Sequence, residues 1–220
     1  KPFWWPATEV VTAIDIQNIT AETTKLVQLC KVKSVVLQLN THWPFTLPMY
    51  YEIFPQQNQI AQTIKTFSMW LSPQSTNKNM VIDAAPHLLS MLYILVGAGH
   101  IQNIESNYHA NELNNKLTIE FDYLHTTGDT KVSLILSPTD TMPKPAAYAI
   151  NGKRVDRHVE LANYLISLRA SDKQLPIVDP LVCSIKNFLG SIYSKSSLDE
   201  TALIDGMTHL AQIYQAISSK

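Results

Sequence analysis

"AAYAINGKRVDRHVE", residues 146–160, decides the fold. Asn151-Gly152 is the dipeptide that a two-residue type I′ turn favours, because both central positions need positive φ. A connection that short joins antiparallel neighbours, whereas parallel strands need a crossover of a dozen residues or more. Working outward, "NKLTIEFDYLH" at 115–125 places Leu117, Ile119, Phe121 and Tyr123 on one face and Thr118, Glu120 and Asp122 on the other. Gly128-Asp129 then turns the chain into a further strand, "KVSLILS", at 131–137. Gln62–Leu71 alternates in the same way and reads as a strand. The connections are short throughout, so the sheet is expected to be open and mostly antiparallel.

Helices follow from a different period. Residues 86–96 read as an apolar helix that Pro86 opens. Asp179-Pro180 supplies an N-cap and a first-turn proline ahead of Leu181, Ile185, Phe188 and Ile192. Ser197 to Glu200 matches a capping box before Leu203, Met207, Leu210, Tyr214 and Ile217. Each of these two closing helices has one apolar stripe, so both are expected on one face of the sheet.

The first 48 residues have another character. After an extended or loop start, Thr20 reads as the N-cap of a helix with Leu26, Leu29 and Cys30 in its stripe. Ser34–Asn40, "SVVLQLN", reads as a buried parallel-type strand, and a proline-bounded loop with at most a short helix follows it. A helix running into a buried strand is half of an α/β unit. The expected architecture is therefore α+β, preceded by a fragment of an α/β domain. The boundary falls near residue 48: residues 1–48 are that fragment, 49–220 the α+β domain.

Composition narrows the function. The 220 residues carry a formal net charge of -1, with 45% hydrophobic and 16% charged residues, an ordinary globular balance. No basic cluster suggests a nucleic-acid partner. The longest apolar stretch, Leu88 to Val96, is too short to span a bilayer, so no membrane partner is expected. Only six glycines are present, which leaves no Gly-rich phosphate loop, and no elbow motif supports a serine or cysteine nucleophile. Cys30 and Cys183 lie in apolar helical patterns and read as buried reduced thiols of a cytosolic, cytoplasmic protein. "KPFWWPATEV" opens without methionine and resembles neither a signal nor a transit peptide, so the chain reads as the inside of a longer protein.

One pair of titratable residues stands out. In "IDAAPHLLSMLYILVG", residues 82–97, Asp83 precedes His87 by four positions at the front of the apolar helix. A helix N-terminus disfavours imidazolium and so favours a neutral histidine able to take a proton near pH 7, with the carboxylate orienting the ring. The plain alternative is a capping aspartate and a satisfied first-turn histidine. His42, His100, His109, His125, His158 and His209 are scattered, so no metal is expected, and His209 reads as a surface or rim residue. Gly97-Ala98-Gly99 follows a helix and reads as its C-terminal turn. Trp4, Trp5, Trp43 and Trp70 read as core or interface aromatics.

In their order along the chain these pieces resemble the glucose–fructose oxidoreductase/inositol dehydrogenase (Gfo/Idh/MocA) family. Lys1-Pro2 resembles the end of that family's E-K-P tripeptide. "TAETTKLVQLCKVKSVVLQLNTHWP" resembles the helix, strand and loop after it, and "IDAAPH" the D-x-x-x-H motif of its C-terminal domain. The glutamate of E-K-P and the G-x-G-x-x-G half of the nucleotide domain are not in this sequence, and "STNKNMV" stands where a glycine-rich run often precedes the histidine motif.

The resemblance implies an NAD- or NADP-dependent oxidoreductase moving a hydride to or from a sugar, polyol or related hydroxy compound. Lys1, Asp83 and His87 are then the catalytic residues, with His87 as the acid–base. Lys1 and Pro2 lie against cofactor, and His42 and Trp43 bind the small-molecule hydroxy substrate. It implies further that residues 1–48 are the last helix and strand of a truncated Rossmann-type domain, that most of the cofactor site lies upstream, that the chain alone is inactive, and that it forms a homo-oligomer through the open sheet face. The competing expectation is a non-catalytic oligomerisation or ligand-binding scaffold.

Overall fold

The computed structural model describes residues 16–58, 64–110, 115–194 and 199–218. Its centre is an eight-stranded sheet in the order β2-β3-β4-β1-β5-β6-β7-β8. The strands are β1 (Thr66–Leu71), β2 (Gly99–Ala110), β3 (Asn115–His125), β4 (Gly128–Leu136), β5 (Ala146–Ile150), β6 (Lys153–Glu160), β7 (Leu165–Ala170) and β8 (Lys173–Ile177). Every neighbouring pair is antiparallel except β1 with β4. The hairpin expected at Asn151-Gly152 is present: the two residues turn at φ 48° and 75°, and Tyr148 pairs with Val155. The β3–β4 turn sits at Thr126-Thr127, two residues ahead of the expected Gly128-Asp129, and Gly128 already pairs with His125.

Alternation sorts the sheet into a dry face and a polar one. Phe67, Met69, Leu71, Leu117, Ile119, Phe121, Tyr123, Val132, Leu134, Leu136, Tyr148, Val155 and Leu168 are all buried in one core. Glu120, Asp122, Lys131, Ser133, Arg154 and Asp156 project from the other face, where the Arg154 guanidinium lies 4.4 Å from the Trp70 ring centroid. Gly99 begins β2 because nothing larger fits there: a Cβ would lie 2.4 Å from the Leu124 carbonyl oxygen.

The dry face is covered by α2 (Leu47–Ile53), α3 (Asn79–Val96) and the last helix, while α1 (Ile19–Val32) packs on the outside of that last helix and a further helix lies beside them. Helix α3 packs Met80, Val81, Ala84, Ala85, Leu88, Leu89, Met91 and Leu92 into the core. Among the described residues it alone is long and apolar enough to cross a membrane, and this burial against the sheet accounts for its composition.

Several expectations are corrected. Ser34–Asn40 forms no strand, because no described strand runs beside it to complete a ladder; it walls a cavity instead. Helix α1 starts at Ile19 with Asn18 as N-cap, while the Thr20 hydroxyl bonds to that of Thr208 at 3.2 Å. Helix α4 (Pro180–Ser194) is capped by Asp179 as expected, its carboxylate accepting from Leu181 N–H at 2.8 Å. Its apolar stripe does not reach the sheet, however: Leu181, Ile185, Phe188 and Ile192 are all exposed, and α4 leans on the short 3-10 turn Trp43–Thr46. Helix α5 (Glu200–Ser218) does pack inward, through Leu203, Leu210 and Ile213. Its cap is Asp199, which accepts from Ala202 N–H at 3.1 Å; Ser197 lies outside the described residues. Both cysteines are free and half-buried rather than buried.

Candidate active site

The helix that carries Asp83 and His87 begins at Asn79, seven residues before Pro86. Pro86 is therefore an interior proline, and its missing N–H leaves the Ile82 carbonyl without the usual helical partner. His87 sits in the third turn, beyond the reach of the helix N-terminal field, so the expected dipole argument for its neutrality does not apply.

Burial supplies that neutrality instead. The His87 imidazole is pushed down from 6.5 to about 4 by desolvation, then by the neighbouring His42, then by Arg157. His42 belongs to the loop before the 3-10 turn, and its ring centroid lies 6.3 Å from that of His87. Its Nε2–H donates to Asn40 Oδ1 at 2.9 Å, and the same oxygen accepts from the Ser184 hydroxyl at 3.0 Å. Burial lowers the His42 pKa too, against the raising effect of Asp179.

His87 opens onto a pocket of about 170 Å³ between α3, the ends of β1 and β5, and β6. Trp43, Ser72, Asp83, Lys144 and Arg157 line it with His87. Asp83 lies on the wall, but its carboxylate accepts from the Ser75 backbone N–H, at 3.1 Å, and from the Ser75 hydroxyl. It thus clamps the loop before α3, and no hydrogen bond joins it to His87 among the described residues. Trp43 is nearly buried, stacked edge-on to Tyr148 at 5.9 Å, and presents only a margin to the pocket. Tyr148 in turn is fully buried and bonds to the Thr46 hydroxyl at 3.0 Å. That aromatic floor holds the turn bearing His42 and Trp43.

A neutral buried imidazole makes stability depend on pH. The unfolded chain takes up the proton near 6.5 and the folded chain only near 4, so its contribution is complete above 6.5 and lost as the pH falls from 6.5 to 4. A difference of that size corresponds to about 3 kcal/mol at most. Lowering the pH from 6.5 to 4 should therefore reduce the urea midpoint of the wild type relative to that of His87→Gln, and a constant difference across that range would contradict the burial argument.

Of the residues expected at the site, His87, Asp83 and Trp43 share this pocket and His42 stands beside it; Lys1 and Pro2 lie outside the described residues. Arg157 and Lys144 were not expected. The signal for Arg157 was in the hairpin itself, since the register set by Asn151-Gly152 puts residue 157 on the same inward face as Val155. His209 is buried, not a rim residue, edge-on to Tyr123 at 5.7 Å. It lines a larger cavity of about 300 Å³ behind α3, walled by residues 36–39, α4 and α5. That cavity is mostly apolar, and the Tyr93 hydroxyl there already donates to Asp199 at 2.8 Å, so the smaller pocket is the better chemical candidate.

No group of three metal-ligating side chains exists among the described residues. They also form no dinucleotide cradle: Gly97, at φ 83°, caps α3 by donating its N–H to Tyr93, and Gly99 enters a strand.

The sequence matches no family model. It matches no curated protein either. Solved structures do share its fold. UDP-N-acetylglucosamine 3-dehydrogenase GnnA from Acidithiobacillus ferrooxidans superposes with a TM-score of 0.60 at 15% identity, over 91% of this chain and 67% of that one. A dehydrogenase from Chromobacterium violaceum gives 0.59 at 12% identity, over 91% and 65%. A variant of KijD10, a 3-ketoreductase from Actinomadura kijaniata in complex with TDP-benzene and NADP, gives 0.58 at 13% identity, over 92% and 66%. The chain thus spans about two thirds of each, and the likeness establishes the α+β fold.

Proposed function

We propose that this chain is the substrate-binding part of an NAD(P)-dependent oxidoreductase of the Gfo/Idh/MocA type, acting on a hydroxyl of a sugar, polyol or related compound. The observation that carries the reading is His87: a neutral imidazole opening onto a small pocket that also holds Asp83, Lys144 and Arg157, in a fold shared with a sugar-nucleotide dehydrogenase and a ketoreductase. His87 takes the hydroxyl proton, and the Trp43 margin and His42 confine the substrate beside it. Asp83 fixes the loop that closes one wall. A nicotinamide, held mainly by upstream residues, would supply the hydride acceptor or donor, and the resemblance assigns Lys1 and Pro2 to its contacts.

Residues 1–48 are then the end of the nucleotide domain and 49–220 the substrate and oligomerisation domain. Exposed Leu29, Val32 and Val35 fit a surface that further chain covers. The polar sheet face pairs two copies, and the protein works in the cytoplasm. One observation favours the competing scaffold reading, namely that Asp83 bonds to Ser75 rather than to His87.

The test is to express the chain together with its own upstream reading frame and follow nicotinamide reduction with a panel of sugars and polyols. Turnover is expected from the extended protein and none from residues 1–220 alone. An extended protein that binds no nicotinamide nucleotide would leave only the scaffold.

A further inference from the structure

The pocket contains more positive charge than His87 needs. Arg157 donates one N–H of its Nη2 to the Lys144 carbonyl at 2.8 Å and has its Cζ 5.7 Å from the Trp43 ring centroid. Its Nε is buried and has no hydrogen-bond partner, and no carboxylate pairs with it among the described residues. Lys144, half-buried on the same wall, likewise has no ion pair there. The one carboxylate lining the pocket, Asp83, is committed to Ser75. A buried donor left without an acceptor is costly, and an inward-facing guanidinium without a counter-ion doubly so, unless a ligand completes it.

We propose that Arg157 and Lys144 form an anion subsite, so that the substrate of this pocket is a sugar or polyol carrying an anionic group, a carboxylate or a phosphoryl, within one sugar's length of His87. The guanidinium, charged and without a carboxylate partner among the described residues, offers the unpaired N–H donors that match carboxylate and phosphoryl oxygens. The inference rests on the reading of the pocket as a hydroxy-substrate site, and it gives that reading a missing part. The groups facing His87 are His42, Arg157, Lys144 and the Ser75-bound Asp83, and an imidazole held down to about 4 is a weak proton acceptor. An anion on Arg157 offsets one of the charges that hold the His87 pKa down and raises it towards the working pH, where a base works best.

The 220-residue chain, with its histidine rings labelled, is titrated by NMR with D-glucuronate, α-D-glucose 1-phosphate and D-glucose. One of the two anionic sugars at least should bind saturably, at least tenfold more tightly than glucose, and raise the His87 pKa. The tighter of the two identifies the anion as carboxylate or phosphoryl. Arg157→Gln should lower that affinity at least tenfold, and Lys144→Gln, on an accessible residue, serves if Arg157→Gln fails to fold. Equal affinity for all three sugars, no binding of either anion, or unchanged affinity in both variants overturns the subsite. Anion binding without hydride transfer in the extended protein removes the oxidoreductase and leaves the subsite; equal turnover of neutral and anionic sugars does the reverse.

Discussion

His87→Asn in the extended protein should lower turnover by about 10²–10⁴-fold, the usual contribution of one positioned acid–base group. Asparagine retains polarity and much of the volume but cannot exchange a proton near neutral pH. The urea midpoint at pH 7 should change little, because His87 is at the edge of the core and opens onto a pocket. Substrate affinity should also be largely retained, since the proton-accepting step is what the substitution removes. Paired measurements of kcat and chemical denaturation check this. A large loss of stability with unchanged kcat would make His87 a structural residue.

Tyr148→Ala is expected to be the most destabilising single change near the site, at about 3–5 kcal/mol, the range for truncating a buried aromatic. Tyr148 is fully buried on β5, packed against Tyr50 at 5.3 Å and Trp43 at 5.9 Å. The Thr46 hydroxyl donates to the Trp43 carbonyl at 2.7 Å, so the Tyr148 hydroxyl is the donor in the bond between them. Tyr148→Phe removes only that bond and should cost about 1 kcal/mol. The alanine variant also frees the turn that holds His42 beside His87, so turnover should fall in whatever fraction remains folded. Equal denaturation midpoints for Tyr148→Phe and Tyr148→Ala would show that the aromatic floor is not what supports the turn.

What the sequence made legible was what local chemistry determines. Asn151-Gly152 admits one kind of hairpin, and the alternation from Leu117 to Tyr123 has one buried face, so both were readable without partners. Asp179-Pro180 likewise announced a helix start that the Leu181 N–H confirms. Pro86 misled because a proline ahead of an apolar run resembles a helix opening; the true start, two turns earlier at Asn79, depends on Met80 and Val81 reaching a sheet that the sequence does not display. Ser34–Asn40 has strand composition, but a strand exists only with a neighbour, and pairing is not a local property. The stripe of α4 was real as a pattern and wrong as a placement, since amphipathicity says that a face wants covering and not by what. At the site, Asp83 and His87 were visible by spacing, yet their joint role was not: the Ser75 loop that captures Asp83 is fixed by tertiary closure. Arg157 was within reach of register alone, as an inward-facing charge two residues past Val155.

The most direct test of the account is the protonation of His87 itself, followed by ring nitrogen and carbon shifts across pH 3 to 8 with His87→Gln to assign the signal. The imidazole should be neutral at pH 7 and titrate near 4, and its resonance should respond to an added hydroxy sugar. A midpoint at or above 6.5, with shifts indifferent to every sugar tried, would mean that the ring is neither desolvated in a pocket nor accessible to a substrate.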